Sequence, residues 1–243
     1  MAKAITTVRG YVAQTDPGPV WRIGYAPDPW AWTEWAHATA GHFDGRWDSP
    51  AGEYRTVYAG STYLACLIEV LARFRPDPQL VDIIGSILED EVDAAIYSTS
   101  DAGTVPTSWF QARRVARAEL TGSYCDVSHS STIAALRPTF VNASLVGFGL
   151  ADFDASALLN SGPRELTQAV GRFIYELPTD PGAAFDGVRF VSRHGTDLTL
   201  FAIFERSDDH IRSKHLSAMT IDAMDPTSTD VHQAMELLSL TIG

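Results

Sequence analysis

The sequence contains few residues of the kind that build metal, redox or disulfide sites. Its 243 residues include two cysteines, Cys66 and Cys125, and neither belongs to a CxxC pair, so no zinc motif, redox motif or disulfide scaffold is indicated. The seven histidines are scattered, and pairs such as His37 and His42 are five residues apart, which is poor spacing for one face of a helix. We therefore expect no metal in this protein.

Long apolar segments and a secretion signal are also missing. No stretch of about 18 apolar residues occurs, so the sequence predicts no transmembrane helix. The N-terminal segment MAKAITTVRGYV lacks the apolar region of a signal peptide. The sequence thus predicts a cytoplasmic protein without membrane contact.

Positive charge is scarce, because 18 Lys and Arg stand against 30 Asp and Glu and the net charge is −12. Broad nucleic-acid binding needs a basic surface, so direct nucleic-acid binding is not expected. A small basic pocket for a phosphate group is still compatible with this charge. Hydrophobic residues make up 45% of the chain, which is typical of a globular protein, and the length suits one large domain.

The motifs of several large enzyme classes are absent. The sequence has no GxSxG elbow, no P-loop and no HExxH. The GFG of Gly147–Gly149 lacks a third glycine, so it is not a dinucleotide-binding fingerprint. Candidate site residues must therefore be sought one by one.

Periodicity and turn residues predict interleaved strands and helices. Strands are predicted in VWRIGY (20–25) and TVYAG (56–60), and a hairpin is predicted around Gly195 in GVRFVSRHGTDLTLFAIFER. TYLACLIEVLARF predicts an apolar helix that Ser61 or Thr62 can cap. Further helices are predicted in PRELTQAVGRFIYEL, with its proline in the first turn, and in STDVHQAMELLSL.

Four other segments have less regular patterns. TSWFQARRVARAEL (107–120) has helical spacing, and TIAALRPTFVNASLVGFGLADFD (132–154) predicts a short helix and a strand. QLVDIIGSIL (79–88) and AAIYST (94–99) predict further strands. The order of these elements predicts an α+β fold in one domain.

Glu69 and Arg46 are the two charged residues with the most unusual surroundings. Glu69 lies in the apolar helix, where a carboxylate is costly to bury unless it is paired. Three interpretations of Glu69 are open. Its side chain points outward, it pairs with an arginine, or it lines a cleft and stabilises positive charge in a ligand. Arg46 lies in the glycine turn DGRWD, where a guanidinium is suited to binding phosphate, unless it forms a surface ion pair with Asp44 or Asp48.

Four further side chains are candidates, each with an ordinary structural alternative. Arg22 lies in a strand-like segment, where an exposed strand position is the alternative. Trp47 could stack on a ligand ring or pack in the core. Tyr58 and Ser192 each end a predicted strand. Tyr58 could simply find a hydrogen-bond partner, and Ser192 could face solvent.

These motifs occur in a specific order along the chain. A WR strand is followed by GRW in a glycine turn, by VYAGS and by a helix with an internal glutamate, and later DGVRFVSRHG precedes LFAIFE. This order resembles the RES-domain family over about residues 21–205, most strongly in Gly45–Glu69 and Asp186–Glu205. The resemblance implies a single RES-type domain over 1–243, with a core at about 21–205 and a C-terminal helical extension. It also implies a mixed, split β-sheet with flanking helices, similar to the ADP-ribosyltransferase fold.

The resemblance further implies an activity and a partner. RES proteins consume NAD⁺ by cleaving the nicotinamide–ribose bond, with water, phosphate or a protein side chain as the acceptor. NAD⁺ is then the expected substrate, and no metal is needed. Several members are toxins of toxin–antitoxin pairs, which implies a cognate antitoxin of the helix-turn-helix type. Three alternatives stay open: a protein ADP-ribosyltransferase, a non-catalytic domain that binds a nucleotide or a partner protein, and a globular α+β domain whose arginine–glutamate pair is structural.

The resemblance assigns roles to the candidate residues. The implied catalytic residues are Glu69, Arg46, Tyr58 and Ser192. The implied NAD⁺-binding residues are Arg22, Arg46, Trp47 and Tyr58. Glu69 would stabilise the ribosyl cation or activate the acceptor, and the arginines would hold the diphosphate. Some members carry their serine just before a QA(L/V)G helix, whereas here that helix reads RELTQAVG without a serine, so Ser192 is assigned the serine's role.

Overall fold

The computed structural model describes residues 4–8, 10–76, 103–159, 162–179 and 182–243, and its main feature is a large mixed sheet. The strands of this sheet are β1 (Ala4–Val8), β2 (Tyr11–Thr15), β3 (Gly18–Tyr25), β4 (Thr56–Gly60), β6 (Arg113–Leu120), β7 (Ser123–Asp126), β10 (Gly187–Ser192), β11 (Gly195–Phe204) and β12 (Leu216–Ala223). Their order is β1-β2-β7-β10-β11-β4-β3-β6-β12. Strands β7 and β10 are parallel, and the other neighbours are antiparallel.

Short strands form two small additional sheets. In one, β5 (Thr104–Val105) pairs with β13 (Thr241–Ile242), and in the other, β8 (Pro178–Thr179) pairs with β9 (Gly182–Ala183).

Six α-helices flank the sheet in the described part of the chain. They are α1 (Tyr63–Leu71), α2 (Thr107–Gln111), α3 (Ser130–Asn142), α4 (Ala155–Leu159), α5 (Arg164–Glu176) and α6 (Thr229–Leu238). Short 3₁₀ segments occupy Trp35–His37 and Ala72–Phe74, and a π-helical segment, Ala143–Gly147, continues α3. The predicted α+β class, with a mixed sheet and flanking helices, is confirmed.

Several predicted elements and their caps are confirmed. Thr62 caps α1, because its hydroxyl accepts a hydrogen bond from the N–H of Ala65 at 3.1 Å. Ser228 caps α6 in the same way. The predicted helix α5 is present, but Pro163 lies at its N-cap position, one residue before the first turn in which it was predicted. Strands β10 and β11 form the predicted hairpin, and β11 begins at Gly195.

The sheet is divided between β3 and β4. Strand β3 pairs with β6 along eight residues, and β4 pairs with β11 along five. Between β3 and β4, by contrast, the only residue pair is Trp21 with Gly60. The remaining polar groups at this junction therefore need other partners, and the gap leaves room for side chains between the two halves of the sheet.

The core consists of separate clusters on the two faces of the sheet. Along β11, Leu200, Ala202 and Phe204 belong to one cluster, which α3 and α5 cover, whereas Phe201 and Ile203 belong to another. This alternation follows from the two-residue period of a strand, and it explains the apolar run LFAIF. A third cluster holds α1 and α6 together.

Two predicted elements are wrong. The helix predicted over 107–120 ends after α2, and Arg113–Leu120 is strand β6 instead. Ala116, Ala118 and Leu120 are buried at every second position, and β6 pairs with β3 on one side and β12 on the other. Because β6 pairs at all eight residues with β3 and at six residues, around a bulge, with β12, tertiary context outweighs the helical spacing of the sequence.

The strand predicted within 132–154 is also absent, since this segment continues as α3 and its π-helical extension. Thr132, Leu136, Phe140 and Ser144 are buried at intervals of four residues, which places them on one helix face. Pro138 lies inside α3 without ending it.

Three further predictions concern strands in residues that the structure does not describe, the C-terminal end of the domain core, and membrane-spanning helices. The strands predicted at 79–88 and 94–99 lie outside the described residues. Strand β12 extends the sheet beyond Glu205, the predicted end of the core, before the predicted terminal helix begins. No helix in the described ranges is long and apolar enough to cross a membrane.

Candidate active site

Glu69 and Ser192 meet across the fold although 123 residues separate them. The Ser192 hydroxyl donates a hydrogen bond to the Glu69 carboxylate and accepts one from the N–H of His194 at 2.9 Å. Ser192 is 1% exposed, so the solvent-facing alternative is excluded. Glu69 forms no ion pair within the described parts of the chain. The buried Ser192 hydroxyl therefore uses both its proton and its oxygen in hydrogen bonds. It fixes the orientation of the Glu69 carboxylate, which is half-buried and has no ion-pair partner in the described ranges.

Arg46 forms no ion pair with any carboxylate among the described residues. The predicted alternative of a surface ion pair with Asp44 or Asp48 is therefore wrong. Its Nη2 donates to the carbonyl of Leu158 in α4, and its buried Nε has no hydrogen-bond partner among the described residues. Burial lowers the pKa of Arg46, and the negative charge of Glu69 partly offsets this shift. An unpartnered buried donor on a guanidinium is costly unless an anionic ligand binds it.

The loop that carries Arg46 is tied together by a buried tyrosine–aspartate pair. The Tyr58 hydroxyl donates to Asp48 Oδ1 and accepts from the N–H of Trp47, both at 2.9 Å. Asp48 Oδ2 accepts from the N–H of Gly45 at 2.6 Å. Burial raises the pKa of Asp48, and burial together with the Asp48 carboxylate raises the pKa of Tyr58. These bonds fix the backbone on both sides of Arg46.

Trp47 lies in the core beside Arg46, and it also forms part of the wall of a cavity there. Its side chain is 0% exposed, its ring centroid lies 5.5 Å from that of Phe190, and the Arg46 guanidinium carbon lies 5.7 Å from each ring. The ring therefore supports Arg46 from behind, so the structure favours the core-packing alternative for Trp47.

Gly45 is required by a close approach of side chains. A Cβ atom at Gly45 would lie 2.4 Å from Asp48 Oδ2 and 2.5 Å from the Tyr58 hydroxyl, well inside van der Waals contact. Both of these groups are held in place by the hydrogen bonds of the loop, so neither can move aside without losing a bond.

We expect Gly45→Ala to lower the free energy of unfolding by about 2–3 kcal/mol, since overpacking here displaces a bonded pair. Chemical denaturation measures this difference. Gly147→Ala is the matched control: a Cβ there meets nothing within 4 Å, and the change should stay within about 0.5 kcal/mol. Equal effects of the two substitutions would contradict the packing described for the loop.

Helix α5 supports the same loop from outside. Gln168 Nε2 donates to the carbonyl of Gly45 at 3.1 Å, and Arg164 donates to the carbonyl of Asp44. A Cβ atom at Gly171 would lie 3.2 Å from the carbonyl oxygen of Trp47, so this glycine lets helix and loop approach closely. The segment RELTQAVG therefore contributes to the site through its glutamine and glycine, although it lacks a serine.

Arg22 lies in the gap between β3 and β4. Its Nε donates to the carbonyl of Pro29 at 2.5 Å, and its Nη1 donates to the carbonyl of Tyr58 at 2.7 Å. The side chain is half-buried and bonded to two carbonyls, which excludes the exposed-strand alternative, and burial lowers the pKa of Arg22. The guanidinium thus links the two halves of the sheet where the backbone ladder is missing.

Two adjacent cavities contain the candidate residues. The Glu69 cavity, of about 250 Å³, is lined by Arg22, Ile23, Tyr58, Ala59, Cys66, Glu69, Val70, Phe190 and Leu200. The Arg46 cavity, of about 390 Å³, includes Arg46, Asp126, Ser128, Leu158, Arg189 and Phe190 in its wall. Phe190 belongs to both walls and separates the two spaces. Five of the six predicted residues line these cavities: Arg22, Tyr58 and Glu69 line one, and Arg46 and Trp47 line the other. Ser192 lies in neither wall and reaches the site through its hydrogen bond to Glu69.

Sequence reasoning missed Asp48, Gln168 and Phe190. Asp48 was considered only as a surface ion-pair partner of Arg46, and its hydrogen bond with Tyr58 is visible only in the fold. Gln168 and Phe190 act through contacts between distant segments, which no local pattern reveals. No group of three or more histidine, cysteine or acidic side chains that could hold a metal ion occurs in the part of the chain that the structure describes.

Comparison with known proteins gives one structural and one family match. The crystal structure of the M. tuberculosis MbcT–MbcA toxin–antitoxin complex contains a chain that is 16% identical, with a TM-score of 0.46, over 91% of this chain and 89% of that chain. A sequence comparison with curated proteins found no match. The family model of the RES domain matches residues 19–223, which include every candidate site residue. The chain therefore belongs to the RES-domain family.

Proposed function

We propose that this protein degrades NAD⁺ by cleaving the bond between nicotinamide and ribose. The observation that carries the proposal is that two oppositely charged side chains, neither of them in an ion pair with a described residue, lie near each other at one site. The Arg46 guanidinium has a buried donor without a partner, and the nearby Glu69 carboxylate is held by Ser192. NAD⁺ presents matching charges, because its diphosphate is anionic and its nicotinamide ribose becomes cationic as the bond breaks.

The reaction needs only groups that are available at the site. The bond between the ribose C1 and the nicotinamide nitrogen breaks, and its electron pair leaves with nicotinamide, which becomes neutral. The Glu69 carboxylate stabilises the oxocarbenium-like ribose that remains. Water or phosphate then adds to C1, and a proton from the attacking water passes to Glu69 or to solvent. The products are nicotinamide with ADP-ribose, or nicotinamide with phosphorylated ADP-ribose.

The other side chains of the Glu69 cavity have supporting roles in this proposal. Tyr58 presents its ring to the cavity, since its hydroxyl is bonded to Asp48. Arg22 holds the two sides of the cavity at a fixed separation through Pro29 and Tyr58. Burial raises the pKa of the Cys66 thiol to about 12, so this cysteine stays protonated and is not a nucleophile.

Resolving the products of NAD⁺ by mass, with and without phosphate, tests the proposal. Nicotinamide with ADP-ribose indicates hydrolysis, and nicotinamide with phosphorylated ADP-ribose indicates phosphorolysis. ADP-ribose attached to an added protein extract would establish the transferase alternative. NAD⁺ that binds but stays intact under all three conditions would establish the non-catalytic alternative and contradict the proposal.

Membership of the RES family also supports a cellular role as the toxin of a toxin–antitoxin pair. The antitoxin would then be a protein that binds this chain and suppresses NAD⁺ cleavage. Expression in a bacterial host tests this role, because the wild-type chain should lower cellular NAD⁺ and a Glu69→Gln chain should not. Normal growth and normal NAD⁺ with an active enzyme present would contradict it.

A further inference from the structure

The Glu69 cavity is too small to enclose a dinucleotide. Its volume of about 250 Å³ lies below the range of roughly 300–1,000 Å³ that is usual for pockets enclosing drug-sized ligands. If the nicotinamide ribose lies beside Glu69, the adenosine half of NAD⁺ must therefore extend into a neighbouring space.

Two neighbouring spaces are available on opposite sides. The Arg46 cavity shares Phe190 with the Glu69 cavity. A larger space of about 760 Å³, here called the Arg113 cavity, shares Arg22 and Ile23 with it and includes Thr33 and Arg113 in its wall. Volume alone favours the Arg113 cavity, so the choice depends on which arginine is able to bind the diphosphate.

The two arginines differ in the donors that they have left. Arg22 uses Nε and Nη1 on the carbonyls of Pro29 and Tyr58, and these bonds replace the missing backbone ladder between β3 and β4. Arg46 has one bond to a carbonyl, that of Leu158, and its buried Nε is unpartnered among the described residues. Each guanidinium keeps further Nη hydrogens for a ligand, but of the two arginines only Arg46 has an Nε that no described residue bonds, and a diphosphate bound at Arg22 would pull on the guanidinium whose two bonds link β3 and β4.

The wall of the Arg46 cavity suits an adenosine. Val127, Leu158 and Phe190 provide apolar surface for a purine. At the polar end, Asp126 accepts from Arg189 Nη1 at 2.7 Å, and each of its carboxylate oxygens can accept a further hydrogen bond from a ribose hydroxyl. The Ser128 hydroxyl accepts from the N–H of Val191 at 3.2 Å, which leaves its proton free to be donated.

We propose that the Arg46 cavity binds the adenosine half of the dinucleotide, a nucleoside 5′-diphosphate, with the diphosphate on Arg46 and the ribose beside Asp126. This assignment rests on the proposed function, because it places the nicotinamide ribose next to Glu69. It identifies Phe190 as a positioning residue that separates the two halves of the substrate, and it leaves the Arg113 cavity without substrate.

Bulky side chains at the rims of the cavities test this assignment. Ala155 on α4 and Thr196 near the start of β11 are exposed and lie in two different walls of the Arg46 cavity. Thr33 is exposed in the wall of the Arg113 cavity and serves as the matched control. The variants are Ala155→Trp, Thr196→Trp and Thr33→Trp in the full chain. The probes are ADP and nicotinamide mononucleotide, with binding measured by calorimetry and NAD⁺ cleavage measured alongside.

We expect at least one of Ala155→Trp and Thr196→Trp to weaken ADP binding about tenfold or more, through steric exclusion from the cavity. Binding of nicotinamide mononucleotide should change less than about twofold, and Thr33→Trp should leave both probes unaffected. If ADP binding is lost in Thr33→Trp alone, or in none of the variants, the assignment is wrong. NAD⁺ cleavage by the wild-type chain would still support the proposed function in that case. A wild-type chain that neither binds nor cleaves NAD⁺ overturns both.

Discussion

Glu69→Gln should slow NAD⁺ cleavage about a thousandfold, because the uncharged amide no longer stabilises the cationic ribose in the transition state. This loss corresponds to about 4 kcal/mol of transition-state stabilisation. It should appear in kcat rather than in KM, since Glu69 interacts with charge that develops only as the bond breaks. Nicotinamide release under saturating NAD⁺ measures it.

The substitution is suited to separating catalysis from folding. Glutamine keeps the shape of the side chain, and its amide oxygen can still accept the hydrogen bond from Ser192. Glu236→Gln, at an exposed position on α6, is the matched control and should leave the rate unchanged. A folded Glu69→Gln protein that keeps most of the wild-type kcat would show that the carboxylate charge does not act in the reaction.

Arg46→Ala should raise KM for NAD⁺ about a hundredfold, through loss of charge-assisted hydrogen bonds worth about 3 kcal/mol. Arg46→Lys should not restore binding, because one ammonium group cannot bond the carbonyl of Leu158 and also replace the Nε donor. Initial rates over a range of NAD⁺ concentrations give KM for each variant.

The same substitution should have little effect on stability. Removing Arg46 leaves the carbonyl of Leu158 without this donor, but it also removes a largely buried charge that has no ion-pair partner. The two effects oppose each other, so we expect the free energy of unfolding to change by less than about 1 kcal/mol. Arg137→Ala is the control for KM, because Arg137 lies on α3 and the change breaks only its exposed ion pair with Asp152. An unchanged KM in Arg46→Ala would exclude Arg46 from substrate binding.

Elements with strong local signals could be predicted from the sequence. Helix α1 combines an apolar run with a threonine cap, and the β10–β11 hairpin combines alternating apolar residues with a glycine at its turn. Strand β6 could not be predicted, because RRVARAEL has helical spacing and becomes a strand only between β3 and β12. The segment 132–154 was predicted as a short helix and a strand, and the burial of every fourth residue from Thr132 to Ser144 is visible only in the fold.

The sequence could predict which residues belong to the candidate site, but not the hydrogen bonds that join them. The motif order identified Glu69, Arg46, Tyr58 and Ser192. The first three line two adjoining cavities, and Ser192 is hydrogen-bonded to Glu69. The hydrogen bond between Ser192 and Glu69 joins residues 123 positions apart, and such contacts depend on the complete sheet. Arg22 was predicted as a phosphate ligand, yet two of its donors hold the divided sheet together, which no local pattern indicates.

Nicotinamide release from NAD⁺ by the purified 243-residue chain decides whether this protein cleaves NAD⁺ with the help of Glu69. The reaction is followed over time in phosphate buffer and in phosphate-free buffer, with Glu69→Gln beside the wild type. The account predicts many molecules of nicotinamide per molecule of wild-type protein in at least one buffer, and a rate about a thousandfold lower for Glu69→Gln. No release by the wild type in either buffer, or equal release by both proteins, would contradict the account.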